Sequence, residues 1–317
     1  MPAAELIRAP LDCDIAEPYR GTVAVIGNLD GVHIGHQALI REAVELAGDK
    51  TAAAITFVPH PRQVFRPDDP PFLLTDEETK ADLLGALGIK IVFALPFIEA
   101  LYKQTPEEFV RLTLGQRLGV SGIITGKDFQ FGAGRAGNAD SLKELAEDLG
   151  ITARAITPVI GPSTEKYSSS SVRAALRGGD PVTAATLLGR PWSIRGEVIE
   201  GRKLARQLEF PTANIPLGDY VRPQFGVYAV EVTTADGNHH GVANIGVRPT
   251  VDGQTEMLEV HVFDFEGDLY GQKLDVALIA FLREERKFDG IDQLKEQIAR
   301  DSERARTILR HRVAANR

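Results

Sequence analysis

From Thr22 to about Gly179, short apolar runs alternate with amphipathic stretches. Thr22–Gly27, Thr51–Phe57, Lys90–Leu95, Ser121–Thr125 and Thr152–Thr157 read as strands, and Gly35–Ala47, Asp76–Leu87, Pro106–Leu118 and Ser141–Leu149 read as helices. Two helix starts are signed by capping boxes, Thr75-Asp76-Glu77-Glu78 and Thr105-Pro106-Glu107-Glu108, the second with proline at the first helical position. Such alternation predicts a Rossmann-like, doubly wound parallel sheet with helices on both faces, whose ligands bind beyond the carboxyl ends of the strands.

One more short helix follows Asp180-Pro181 and ends at Leu188-Gly189; from Trp192 the period shortens to two. Ile194–Ile199, Gly226–Thr233, His240–Ile245, Met257–Phe263 and Leu274–Phe281 alternate as strands, separated by turns such as Asp252-Gly253 and Glu266-Gly267-Asp268. Strands without intervening helices predict a small antiparallel β-barrel, and the amphipathic stretch from Ile291 to about Val313 predicts a helix covering it. The change of period lies between Gly179 and Arg190, which divides the chain into residues 1–185 and 186–317.

Composition supports two ordinary cores: 317 residues, 43% hydrophobic. The net charge of −8 argues against nucleic-acid binding and leaves room for a local basic pocket. Cys13 is the single cysteine, so no internal disulfide forms. Glu5, Asp12, Asp14 and Glu17 leave no apolar signal-peptide core, and the longest apolar run, Ile91 to Ile98, is broken by Pro96. The expectation is a cytoplasmic protein with no membrane partner, its oligomeric state left open.

The chemistry concentrates at Gly27-Asn28-Leu29-Asp30-Gly31-Val32-His33-Ile34-Gly35-His36, where a strand runs through glycines into a helix. Gly27, Gly31 and Gly35 allow close approach of backbone and positive φ, and the helix start turns amide N–H groups toward a phosphate. His33 and His36, three apart, face the same anion. Incidental surface histidines are the plain alternative, and a metal site is weaker still because His60, in Pro59-His60-Pro61, sits in no known ligand spacing. A glycine-rich loop, Gly126-Lys127-Asp128-Phe129-Gln130-Phe131-Gly132-Ala133-Gly134-Arg135-Ala136-Gly137, follows the fourth of these strands. Tyr167-Ser168-Ser169-Ser170-Ser171-Val172-Arg173 then leads into a helix, offering hydroxyls, amides and a guanidinium to an anion.

The first of these segments has the form of the HxGH signature of nucleotidyltransferases and resembles the version in bacterial bifunctional riboflavin kinase/FAD synthetases. The resemblance implies that His33 and His36 stabilise charge on the α-phosphate of ATP as FMN attacks it, with Gly27, Asn28, Asp30, Gly31 and Gly35 around the nucleotide. It implies that Asp128, Phe129, Phe131 and Arg135 shape the flavin and adenine sites. It also implies that Ser169, Ser170 and Arg173 hold the phosphates that leave as pyrophosphate; Tyr167 and Ser171 depart mildly from that family motif.

The second half resembles riboflavin kinases through Glu209-Phe210-Pro211-Thr212-Ala213-Asn214, Asn244-Ile245-Gly246-Val247-Arg248-Pro249-Thr250, Leu258-Glu259-Val260-His261, Asp268-Leu269-Tyr270-Gly271 and Arg286-Lys287-Phe288. Thr212 and Asn214 offer hard oxygen ligands to the Mg2+ of ATP. The resemblance makes Glu259 the base toward the ribityl hydroxyl, Gly201 and Arg206 part of a phosphate loop, and Arg283, Arg286 and Phe288 a flap on the flavin. Ala205 and Glu209 stand where such kinases usually have glycine, which predicts a working kinase with weakened ATP binding. The expected activities are phosphorylation of riboflavin to FMN and adenylyl transfer from ATP to FMN, giving FAD. A monofunctional adenylyltransferase with an impaired kinase, or a flavin- and nucleotide-binding regulator, are the alternatives.

Overall fold

The computed structural model describes residues 3–157, 167–200, 212–250 and 253–315. The segment from Gly201 to Arg206 expected to form a phosphate loop, with Ala205 and Glu209, lies outside the described residues. The chain forms two compact units, Met1–Asp69 with Glu77–Ser168, and Pro70–Asp76 with Ser169–Arg317.

The first unit is built on a six-stranded parallel sheet of β1 (Glu5–Arg8), β2 (Val23–Ile26), β3 (Ala52–Val58), β4 (Ile91–Pro96), β5 (Gly122–Gly126) and β6 (Thr152–Ile156). Its order is β1-β4-β3-β2-β5-β6, so the central strand β2 delivers its carboxyl end between β3 and β5. Both faces are buried, which is why the strands read as continuous apolar runs. Ile26, Ile55, Phe93 and Ile123 enter one core, and their neighbours Val25, Ala54, Val92 and Ile124 enter the other. β1 is an addition to the predicted set: four residues pairing in parallel with β4 carry too little periodicity to be recognised alone.

The main helices of this unit are α1 (Ile34–Ala47), α2 (Glu77–Ala86), α3 (Pro106–Arg117) and α4 (Ala139–Glu147). At α3 the predicted capping box is present: the Glu108 amide donates to Thr105 Oγ1 at 3.2 Å and the Thr105 amide to Glu108 Oε2 at 2.9 Å. The helix then widens into a π-helical stretch from Phe109 to Arg117.

The second unit holds α5 (Ser169–Arg177), α6 (Pro181–Leu188) and a six-stranded antiparallel sheet: β7 (Trp192–Glu197), β8 (Ala213–Pro216), β9 (Gly226–Thr234), β10 (Gly237–Thr250), β11 (Gly253–Val262) and β12 (Lys273–Arg283). Its order is β8-β11-β10-β9-β12-β7, and the Ile199 amide donates to the Asn214 carbonyl at 2.9 Å, joining the two edges into a barrel. β8, only four residues long and ended by a proline, is the strand that periodicity misses. Trp192, Ile194, Ile215, Tyr228, Ile245, Leu258, Val260, Val276 and Leu278 fill the barrel. The outer face of β9, β10 and β12 packs Val227, Ala229, Val242, Ile279 and Leu282 against Ala305 and Leu309 of α7 (Ile291–Ala315).

Helices α5 and α6 contribute Val172, Leu176, Ala184 and Leu188 to this barrel core, and so does Leu74 from the Pro70–Asp76 segment. Leu74 is tied in by its carbonyl, which accepts from Trp192 Nε1 at 2.8 Å, and the neighbouring Leu73 bridges Tyr220.

Candidate active sites

The turn after β2 is the first site. His33 is the N-cap of α1, its Nδ1 accepting from the His36 amide at 3.3 Å. An accepting Nδ1 puts the imidazole proton of His33 on Nε2, which makes that nitrogen a donor. The two rings stack with centroids 3.6 Å apart, so both imidazoles occupy the same patch at the helix start. Gly35 makes the stack possible, because a Cβ there would stand 3.1 Å from the His33 ring and 3.3 Å from the Tyr167 carbonyl.

Of the three glycines expected to take positive φ, only Gly31 does so, at +82°; Gly27 and Gly35 do not, whereas Leu29 and Val32 do, at 49° and 44°. A β-branched residue held there is strained, and buried Leu29 and Val32 side chains hold the turn in that shape. Asp30 is buried below the turn, and the Asn28 Oδ1 is a buried acceptor with no hydrogen-bond partner among the described residues.

Beyond β5, Phe131 is a core residue, packed on Phe109 and Phe129, whereas Asp128 and Arg135 are exposed. Sequence reading missed a second aromatic group. At the carboxyl ends of β3 and β4, Phe97 meets Phe57, Phe65 and Tyr102, and Phe65 meets Tyr102, with ring centroids 5.3 to 5.7 Å apart. Phe65 is 62% exposed, so this cluster presents an aromatic surface at the ligand-binding edge of the sheet. Its sequence signal was weak, since the rings come from separate segments. His60 is accounted for structurally: its Nδ1 accepts from the Arg62 amide at 3.1 Å and caps the helix Pro61–Phe65.

Ser169 and Ser170 open α5 in the second unit, and Arg173 lies one turn on. Arg173 is 8% exposed, donates from Nε to the Phe72 carbonyl at 2.7 Å and stacks over the Phe72 ring.

On the barrel, Asn214, Glu259 and Asn244 are register partners on β8, β11 and β10, which lines their side chains up on one face. Thr212 adjoins Asn214, whose Nδ2 donates to the Thr212 carbonyl at 3.4 Å and leaves Oδ1 as the oxygen for a cation. Glu259 Oε2 accepts from Arg248 Nη2 at 2.7 Å. Arg248 Nη1 donates to Glu285 Oε1 at 3.1 Å, and Asn244 Nδ2 donates to the same oxygen at 3.0 Å. Burial lowers the basicity of the Arg248 guanidinium, but the hydrogen bonds and charges of Glu259 and Glu285 outweigh it and raise its pKa.

Arg283, Arg286 and Phe288 come together, with both guanidinium groups over the Phe288 ring at 5.8 and 5.0 Å. Arg283 is also anchored on α7 by a forked ion pair with Asp301 at 2.8 to 3.2 Å.

Against known proteins, residues 15–171 match the FAD synthetase family and residues 188–309 the riboflavin kinase family. Bifunctional riboflavin kinase/FMN adenylyltransferases from Pseudomonas fluorescens and Escherichia coli are 42% and 39% identical, each over 92% of this chain and 94% of their own length. The chain belongs to the bifunctional riboflavin kinase/FMN adenylyltransferase family. The Bacillus subtilis member is 36% identical over 92% of this chain and 93% of its own. A solved structure from Streptococcus pneumoniae, described as a macrolide-efflux protein, shares the fold over 96% of this chain and 99% of the solved chain, with a TM-score of 0.82 and 29% identity. Among the described residues, no helix is long and apolar enough to cross a membrane.

Proposed function

We propose that the two reactions of the family run at two centres in this chain: phosphorylation of riboflavin in residues 186–317 and adenylyl transfer to FMN in residues 1–185. The observation that supports this is that each family match carries its own reactive cluster. The stacked His33 and His36 lie in one, and the Asn214–Glu259–Asn244 row lies in the other.

For adenylyl transfer, the imidazole donors and the amides at the start of α1 stabilise charge on the α-phosphate of ATP while a phosphate oxygen of FMN forms the new P–O bond and pyrophosphate departs. Ser169, Ser170 and Arg173 receive the departing phosphates. The aromatic surface of Phe65, Phe97 and Tyr102 suits the flat face of isoalloxazine, with Phe129 contributing on the β5 side.

For the kinase, the free oxygen of Glu259 accepts the proton of the ribityl 5′-hydroxyl as the ribityl oxygen bonds the γ-phosphorus and ADP leaves. Mg2+ suits the donor set, because Thr212 and Asn214 offer neutral oxygens, and among the described residues no cluster of three His, Cys, Asp or Glu competes for a metal. An ion arriving on ATP would be held jointly by its phosphates and these two residues, and its charge offsets that of the phosphates. Arg283, Arg286 and Phe288 form the flavin flap, Arg283 in a supporting part. The site of action is the cytoplasm.

Incubation of the purified protein with riboflavin and Mg-ATP, followed by separation of the flavins, tests the reading. FMN and then FAD are expected. FAD only from supplied FMN identifies the monofunctional form, and no product from either flavin identifies a binding protein.

A further inference from the structure

Glu259 is offered to substrate by a neighbour that the two reactions do not otherwise use. Asn244, Gly246 and Arg248 alternate along β10, so all three stand on the face that carries Glu259. Gly246 leaves a gap in that row, and the Glu285 carboxylate fills it: a Cβ on Gly246 would collide with Glu285 Oε1. Asn244 and Arg248 grip the same oxygen from either side, at 3.0 and 3.1 Å. The second arm of Arg248 reaches Glu259 Oε2 at 2.7 Å. Glu259 Oε1 has no hydrogen bond among the described residues, so one oxygen is clamped and the other is presented.

Resting on the reading of Glu259 as base, we propose that Arg248 is a positioning residue of the kinase reaction, held by Glu285 in the cradle of Asn244 and Gly246, and that it fixes the rotamer of Glu259. A carboxylate on a strand otherwise samples several rotamers, and a base that transfers a proton needs its oxygen within hydrogen-bond reach of the hydroxyl. A forked guanidinium suits the task because it binds two carboxylates in one plane, which a lysine ammonium does not. Glu285 sits just ahead of Arg286 and Phe288, so the flap segment that meets flavin also sets the arginine that aims the base.

The test is steady-state kinetics of FMN formation by the full chain. Arg248→Ala is expected to lower kcat about tenfold or more, with KM for riboflavin and ATP changed less than about threefold. Arg248→Lys should recover part of that loss, and added guanidinium should recover part of it in Arg248→Ala. Glu285→Ala and Gly246→Ala should lower kcat in the same way, and Glu285→Ala should add nothing to Arg248→Ala. The ion pairs are partly exposed, so little change in melting temperature accompanies these losses. A wild-type kcat in Arg248→Ala, beside an inactive Glu259→Gln, overturns the proposal while leaving the base in place. Additive losses, or a parallel fall in melting temperature without guanidinium rescue, overturn it as well. A wild-type rate in Glu259→Gln overturns the assignment of the base and this proposal with it.

Discussion

Asn214 and Glu259 stand directly opposite each other on adjacent antiparallel strands, so a neutral oxygen donor and a carboxylate share one face of the barrel wall. Under the proposed function, that adjacency sets a cation ligand beside a proton acceptor, and phosphoryl transfer depends on such alignment more than on covalent help.

Glu259→Gln keeps the shape of the side chain and removes the proton acceptor. FMN formation is expected to fall at least about a hundredfold, while FAD formation from supplied FMN stays within twofold of wild type. Following both products by flavin chromatography checks this, and equal loss of both would point to misfolding or a shared site.

His36→Ala should do the reverse, costing on the order of 3 kcal/mol, or about a hundredfold, in adenylyl transfer. Gly35→Ala reaches the same end by another route. Its methyl group would stand 3.1 Å from the His33 ring, so that ring must give way on its stack with His36, and FAD formation should drop although both histidines are present.

Trp192→Phe retains the ring and removes the N–H donated to the Leu74 carbonyl at 2.8 Å. Leaving that buried acceptor unpaired should cost about 1–3 kcal/mol. Trp192→Ala, which also empties the side chain's place in the barrel, should cost about 3–5 kcal/mol. Chemical denaturation of the full chain separates the two variants.

Asp180 caps α6, and hydrogen bonds from the Thr183 side chain first and then from the Thr183 amide, which reaches Oδ1 at 2.9 Å, hold its carboxyl below the usual carboxylate range. A depressed folded-state pKa gives stability that is present above the ordinary carboxylate pKa of about 3.9 and lost as pH falls below it. Asp180→Ala should therefore destabilise by about 1 kcal/mol at neutral pH, with the difference from wild type shrinking as pH drops toward 3. Solvent at this exposed site trims the electrostatic share, so Asp180→Asn should lie close to wild type.

Much of the architecture was legible because strands buried on both faces and helices with clear caps announce themselves locally. The change of period near Trp192 marked the barrel in the same way. β1 and β8 were not legible, since four residues acquire their identity from the strands they join, β4 and β11. At the nucleotide turn the glycines drew attention, yet the strained positions are Leu29 and Val32, whose conformation is imposed by their buried side chains. The aromatic surface of Phe57, Phe65, Phe97 and Tyr102 depends on the pairing of Phe57 with Leu95 across β3 and β4, which the linear sequence does not display. In the same way, the motif around Asn244 and Gly246 showed its residues but not the Glu285 carboxylate that lies between them.

The tie between Leu74 and Trp192 spans 118 positions, and this has a bearing on how the chain matures on the ribosome. Synthesis runs from the amino end at about 5–20 residues per second, so Pro70–Asp76 emerges roughly ten seconds before its partner indole does. Strands β1 to β3 are already made by then and β4 to β6 follow within that interval, so the parallel sheet has all its strands while Leu73 and Leu74 wait for Tyr220 and Trp192. A nascent chain arrested ahead of residue 192 would carry Leu73 and Leu74 without the bridge partner and the indole that tie them down in the finished fold.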